Sequence, residues 1–133
     1  MKHLDFGDSG SLAHPSLHDA YVYRLDFEVK QLTLFCRAPG NECSRLELRG
    51  VAHMLANGLA EQNILLDVCL EVDNDRRNQI LSRLLPGAEK RQQAYRDLVL
   101  QRLQEGSLML LCFSPSYGGE MLVLCEEALY ESC

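Results

Sequence analysis

At 133 residues the chain has the length of one domain, and dividing it would leave neither half enough interior to bury. Hydrophobic residues make up 47% and charged residues 24%, a balance that excludes a disordered tail and lets a core form without metal or disulfide support. The net charge of −6, with no Lys/Arg run interleaved with aromatics, repels a phosphate backbone, so nucleic acid is excluded as a partner.

The first eight residues, Met1-Lys2-His3-Leu4-Asp5-Phe6-Gly7-Asp8, hold one lysine, two acids and no apolar run, so no signal peptide is expected. The longest strongly apolar run, Leu108 to Phe113, is too short to cross a bilayer, and no membrane partner is expected. These features point to the cytoplasm. Cys36, Cys43, Cys69, Cys112, Cys125 and Cys133 are accordingly read as thiols. No two of them form a C-x-x-C pair, and an even count does not establish bridges.

Taken in chain order, residues 1–16 carry Gly, Ser, Asp and Pro and read as an irregular lead-in. From Tyr21, alternation places Tyr21, Tyr23, Leu25, Phe27 and Val29 on one face of a half-buried strand. Leu32, Leu34, Cys36 and Ala38 mark a second strand after a turn near Lys30-Gln31, and Pro39-Gly40-Asn41 is a turn. Leu46 and Leu48 suggest a third strand. Residues 51–62 are ambiguous: Val51, Met54, Leu55 and Leu59 fit one helical turn or two, but Asn57-Gly58 interrupts them. Ile64, Leu66, Val68, Leu70 and Val72 form the fourth strand.

Asp73-Asn74-Asp75 is a helix N-cap signal. Ile80, Leu81, Leu84 and Leu85 then fit a short helix that stops at Pro86-Gly87. A second helix is expected from about Ala88 to Glu105, ending at Gly106, with Tyr95, Leu98, Val99 and Leu103 as its apolar face. Leu108, Leu110 and Cys112 lead into the loop Ser114 to Gly119, and Met121, Val123 and Cys125 lead out. The expected fold class is α+β in one domain, 1–133. It is a mostly antiparallel sheet of about six strands with a helical pair, 75–105, inserted between the fourth and fifth strands.

The span 75–105 has seven basic and four acidic residues, net +3, whereas the remainder is net −9. Solvated surfaces explain this split. The sharper alternatives are an acidic surface that docks a basic protein, or a homo-oligomer with opposite charges facing.

Few residues offer chemistry. His14 and His18 are four apart, but Pro15 lies between them and no third ligand follows at a metal-binding spacing. No metal or cofactor site is therefore expected. Glu126-Glu127 and Asp73/Asp75 form no assignable acid–base pair. Three groups remain as candidate binding residues. His18 and Asp19 are adjacent at the first strand's entrance, Asp67 lies on the polar side of the fourth strand, and Tyr117 and Gly118 sit at the tip of the last hairpin. No catalytic residue is assigned.

Leu17-His18-Asp19-Ala20, Leu46-Glu47-Leu48-Arg49-Gly50 and Asn63-Ile64-Leu65-Leu66-Asp67-Val68 resemble segments of small β-rich bacterial families of uncharacterised proteins. Some of these are grouped with immunity proteins of polymorphic toxin systems. The resemblance covers about residues 17–72 and departs at the helical pair. It implies a cytosolic protein that occludes a toxin by binding, with an acidic surface suited to a basic nuclease.

Two expectations result. A non-enzymatic protein-binding module has an exposed patch and no deep polar pocket. A small enzyme or ligand-binding domain has a cleft between sheet and helices, with His18, Asp67 or Tyr117 converging on one cavity.

Overall fold

The computed structural model describes residues 1–133. Its longest uninterrupted pattern is that of β5 (Gln31–Arg37), where Leu32, Leu34 and Cys36 are buried and Gln31, Thr33, Phe35 and Arg37 face out. A two-residue turn at Val29-Lys30 joins β5 to β4 (Tyr21–Glu28), with Lys30 at a left-handed φ of 59°. Ala38 to Asn41 then reverse the chain into β6 (Cys43–Arg49), with Asn41 N–H donating to Ala38 O. This three-stranded meander gains β11 (Glu127–Ser132) and the two-residue β1 (Lys2–His3) on its far side.

The second half of the sheet is β8 (Ile64–Leu70), β9 (Met109–Tyr117), β10 (Glu120–Cys125) and β7 (His53–Asn57). The order across all nine strands is β1-β11-β6-β5-β4-β8-β9-β10-β7, antiparallel throughout. A separate two-stranded ribbon pairs β2 (Asp5–Phe6) with β3 (Leu12–His14). The two halves meet through β4 and β8 only near Tyr21↔Ile64. The chain also passes from one half to the other with almost no loop, through Gly50–Ala52 after β6 and through Glu126 after β10. Gly50 is required there. Its φ is 65°, and a Cβ would fall 2.7 Å from the side chain of Glu126.

The helices are α1 (Asn74–Leu84) and α2 (Lys90–Glu105). Asp73 caps α1 by accepting from Arg76 N–H at 3.1 Å. Gly106, at φ 83°, closes α2 in the left-handed conformation. Arg96 donates to Leu85 O and Gly87 O, both at 2.7 Å, and so fixes the turn between the helices.

The fold is thus α+β with an antiparallel sheet, but the expected six strands with helices between the fourth and fifth are overturned. A nine-stranded sheet and a two-stranded ribbon are present, and the helices follow the eighth strand. The lead-in read as irregular holds β1, β2 and β3, which are too short to show a period. The ambiguous segment 51–62 supplies β7, and the expected Ser114–Gly119 loop contracts to Gly118-Gly119 because β9 continues to Tyr117. No helix is long and apolar enough to cross a membrane.

The larger core lies between the inner faces of the two half-sheets and includes Leu32, Leu34, Leu46, Leu48, Phe113 and Val123. The helices cover the opposite face of β9 and β10, where Leu81, Val99 and Leu103 pack with Leu108, Leu110 and Leu124. The apolar face expected of α2 is therefore only partly buried: Leu98 is 53% and Tyr95 43% exposed, while Leu103 is 3% exposed. Leu103→Ala should cost about 2–5 kcal/mol in a denaturant titration, and Leu98→Ala should stay within about 0.5 kcal/mol.

Cys36 and Cys125 have no exposed surface. Burial pushes both thiols up from 9.0 to about 12. A raised acid pKa favours the neutral folded form, so this contribution is intact below about pH 9 and is lost as pH climbs from there to about 12. The urea midpoint should fall across that window, and the Cys36→Ala/Cys125→Ala variant should show a shallower fall.

Candidate protein-binding face

The outer face of the β4-β5-β6-β11 half-sheet has no helix over it, because both helices pack on the other half. A bulge in β4 between Val22 and Arg24 sets what this face displays. The extra residue lets Tyr23 and Arg24 both turn outward and returns Leu25 to the core side, opposite Leu34. The face consequently carries Tyr21, Tyr23 and Phe35 in a chain of tilted rings, with centroids 6.0 and 6.1 Å apart. Arg24 lies over Phe35 at 5.0 Å, and Arg37 lies over Tyr23 at 5.3 Å. Tyr21 and Tyr23 remain 41% and 43% exposed.

Register extends the cluster into rows across four strands. Arg24, Phe35, Arg45 and Glu131 are successive cross-strand neighbours, as are Asp26, Thr33, Glu47 and Leu129. Ion pairs tie the rows together: Arg24–Asp26 at 2.9 Å, Arg49–Glu47 at 2.8 Å, Arg49–Glu127 at 3.8 Å, and Arg45–Glu131. The hydrogen bond that Arg49 donates to Glu47 raises the Arg49 pKa, and the one that Arg24 donates to Asp26 raises that of Arg24. Both guanidiniums thus stay charged while held in a fixed orientation.

One end of the face is closed covalently. Cys43, the first residue of β6, is bonded to Cys133, with Cα atoms 5.3 Å apart. The Tyr23 hydroxyl donates to Cys43 Sγ at 3.2 Å. This overturns the reading of all six cysteines as thiols for two of them; Cys36, Cys69, Cys112 and Cys125 are free. A groove of about 920 Å³ passes the disulfide, lined by Tyr23 and Arg37 together with Cys43, Tyr130, Cys133 and Pro15.

The residues singled out from sequence lie elsewhere. His18 and Asp67 line one small cavity of about 190 Å³, but each fastens structure there. His18 Nδ1–H donates to Leu66 O at 2.7 Å, with Asp19 3.5 Å from Nε2. Asp67 accepts from the Ser11 hydroxyl at 2.8 and 3.0 Å. Asp19, at φ 61°, borders a different groove with Tyr21, Glu61 and Gln62. Tyr117 is 59% exposed at the end of β9 and lines neither cavity. Gly118 has φ 89°, and a Cβ there would meet Gln62 O and Asn63 Oδ1 at 2.6 Å, so close packing of the 58–63 loop accounts for it. His18 and Asp67 thus share one cavity, whereas Asp19 and Tyr117 form no part of its lining.

A pair that sequence reasoning missed is His53 with Tyr95. Their Nε2 and hydroxyl share a hydrogen bond of 2.8 Å. They line a cleft of about 500 Å³ between β7 and the helical pair, together with Leu84, Pro86, Arg91 and Gln92. The partners are 42 residues apart, and no local motif joins them. No group of three or more His, Cys, Asp or Glu side chains is placed to hold a metal ion.

No family model, curated protein or solved structure matches the chain.

The disulfide closes a ring spanning 90 positions of sequence. On loop-closure grounds its removal should lower stability by up to about 4–5 kcal/mol. Urea titration of Cys133→Ser beside the oxidised parent checks this, and dithiothreitol should lower the parent to the variant's midpoint.

Proposed function

We propose that this chain is a non-enzymatic protein-binding module that captures a protein partner on the outer face of β4-β5-β6-β11. The single observation that carries the reading is the aromatic–arginine cluster of Tyr21, Tyr23, Phe35, Arg24 and Arg37 on a sheet face that no helix covers. Tyr and Arg are enriched where truncation costs most at interfaces. Here their ring stacking and ion pairs hold them ready, so little side-chain freedom is lost on binding. The face matches Asp26, Glu47, Glu127 and Glu131 against Arg24, Arg45 and Arg49. The net charge of −6 acts over a longer range and favours encounter with a basic partner. An inhibitor of the toxin-immunity kind fits this chemistry, because occlusion needs a stable surface and no catalytic group.

The experiment is affinity capture by the immobilised chain, co-expressed with the products of neighbouring genes and read by mass spectrometry. Tyr23→Ala/Arg37→Ala should lose a stoichiometric partner that the parent retains, with affinity weaker by tenfold or more. His53→Ala should retain it. Equal capture by both variants would move the interface off this face.

The His53–Tyr95 cleft favours a second reading, a ligand-binding domain for a small molecule with an apolar part and an anionic group near Arg91. A thermal upshift with such a compound, abolished by Tyr95→Phe and unaffected by Tyr23→Ala, would support it.

A further inference from the structure

Strand β4 is paired on both sides for only a few residues. Its hydrogen bonds toward the other half-sheet are Asp19 N–H to Leu65 O, Val22 N–H to Asn63 O and Leu65 N–H to Ala20 O. Beyond Val22 the strand pairs with β5 alone. Counting from the Val29-Lys30 turn, the hydrogen-bonded pairs with β5 are Glu28/Gln31, Asp26/Thr33 and Arg24/Phe35. Leu25 and Phe27 therefore aim their N–H and C=O groups away from β5, at an open edge.

Apolar side chains accompany that edge. Leu25 and Phe27 lie on the core side, opposite Leu34 and Leu32, yet they are 36% and 61% exposed because β8 has diverged from β4. Val29, next in the chain, is 91% exposed, and Leu59, which shares a small gap with Leu25, is 49% exposed.

We infer that this edge pairs with the same edge of a second copy, forming a two-fold antiparallel dimer centred on Leu25. The sequence along the edge selects the occupant and the register. The alternation permits two-fold registers centred on Leu25, Asp26 or Phe27. A centre at Phe27 sets Asp26 against Glu28 of the other copy, twice, and a centre at Asp26 sets that carboxylate against itself. A centre at Leu25 sets Arg24 of each copy opposite Asp26 of the other on the outer face, with no like charges facing. The same register makes Leu25 a hydrogen-bonded pair with its own copy, satisfying its edge groups, and sets the exposed Leu25 of each copy beside Leu25 and, diagonally, Phe27 of the other. The β4 bulge ends the pairing at Tyr23.

The dimer goes beyond the proposed function, and its test uses different residues from the Tyr23/Arg37 capture experiment. The parent should sediment with a concentration-dependent mass that approaches two chains. Arg24→Asp alone and Asp26→Arg alone each set like charges opposite at two symmetric positions, and each should weaken association about tenfold or more. The double swap Arg24→Asp/Asp26→Arg restores opposite charges across the axis and should recover the parent's association. Both side chains are on the surface, and unchanged far-ultraviolet circular dichroism checks that the fold is kept. A parent that stays one chain at all concentrations overturns the inference. So does a dimer whose mass ignores the single reversals, since its contact lies elsewhere. A double swap that fails to recover association overturns the Leu25-centred register, because a centre at Asp26 would set arginine against arginine.

Discussion

Strands β9 and β10 carry apolar side chains on both faces. Leu111, Phe113, Met121 and Val123 point into one core, while Leu110 and Leu124 point into the other. A strand pair of this kind needs cover above and below. The meander of β4, β5 and β6 supplies one cover, and the helices supply the other. The helical pair sits between β8 and β9 in sequence for the same reason. Those strands are antiparallel neighbours, so their connection can rise off the sheet, lie over β9 and β10, and return. The meander alternates and needs cover on one face only, which leaves its outer face free to display Tyr23, Phe35 and their arginines.

The charged side chains divide along the same lines. The arginines of the helical segment mostly fasten it to itself or to the sheet. Arg77 donates to Glu71 O and Asn74, Arg83 pairs with Glu120, Arg96 holds the interhelical turn, and Arg102 reaches Ser107. The net +3 of residues 75–105 is thus largely engaged within the fold. On the meander face, Arg24 and Arg37 in addition stand over the rings of Phe35 and Tyr23.

What could be read from sequence was what local chemistry decides. Asp73 and Gly106 mark helix ends through groups a few residues away, and β5 keeps one alternation from end to end. β4 and β8 alternate just as cleanly on paper, but each contains a bulge. Past those points the faces exchange. Leu25 turns in while Tyr21 and Tyr23 turn out, and Leu65 and Val68 are both buried while Leu66 is 48% exposed. An apolar residue on either side of a bulge looks the same in sequence, so the displacement was not legible. Neither was β7, whose His53-Met54-Leu55 becomes a strand only by pairing with β10. The candidates His18 and Asp67 were residue types suited to chemistry, but tertiary partners occupy them. The Tyr23–Phe35 stack, the disulfide and the His53–Tyr95 pair all arise from contacts between distant segments.

The Cys43–Cys133 bond also determines how the molecule would yield to mechanical load. Lys2 and His3 lie opposite Tyr130 and Leu129 in antiparallel register, so residues 1 and 133 stand at the same end of the sheet. Tension applied at those two positions peels β1 from β11 one hydrogen bond at a time, the weak geometry for a sheet. At the other attachment the force enters Cys43 directly through sulfur and bypasses β11 altogether. Residues 43–133, including both helices and the whole second half-sheet, form a closed ring that adds almost no length when stretched. While the bond is intact, only the stretch from Met1 to the start of β6 can be drawn out. Reduction turns the same domain into one that extends along its full contour.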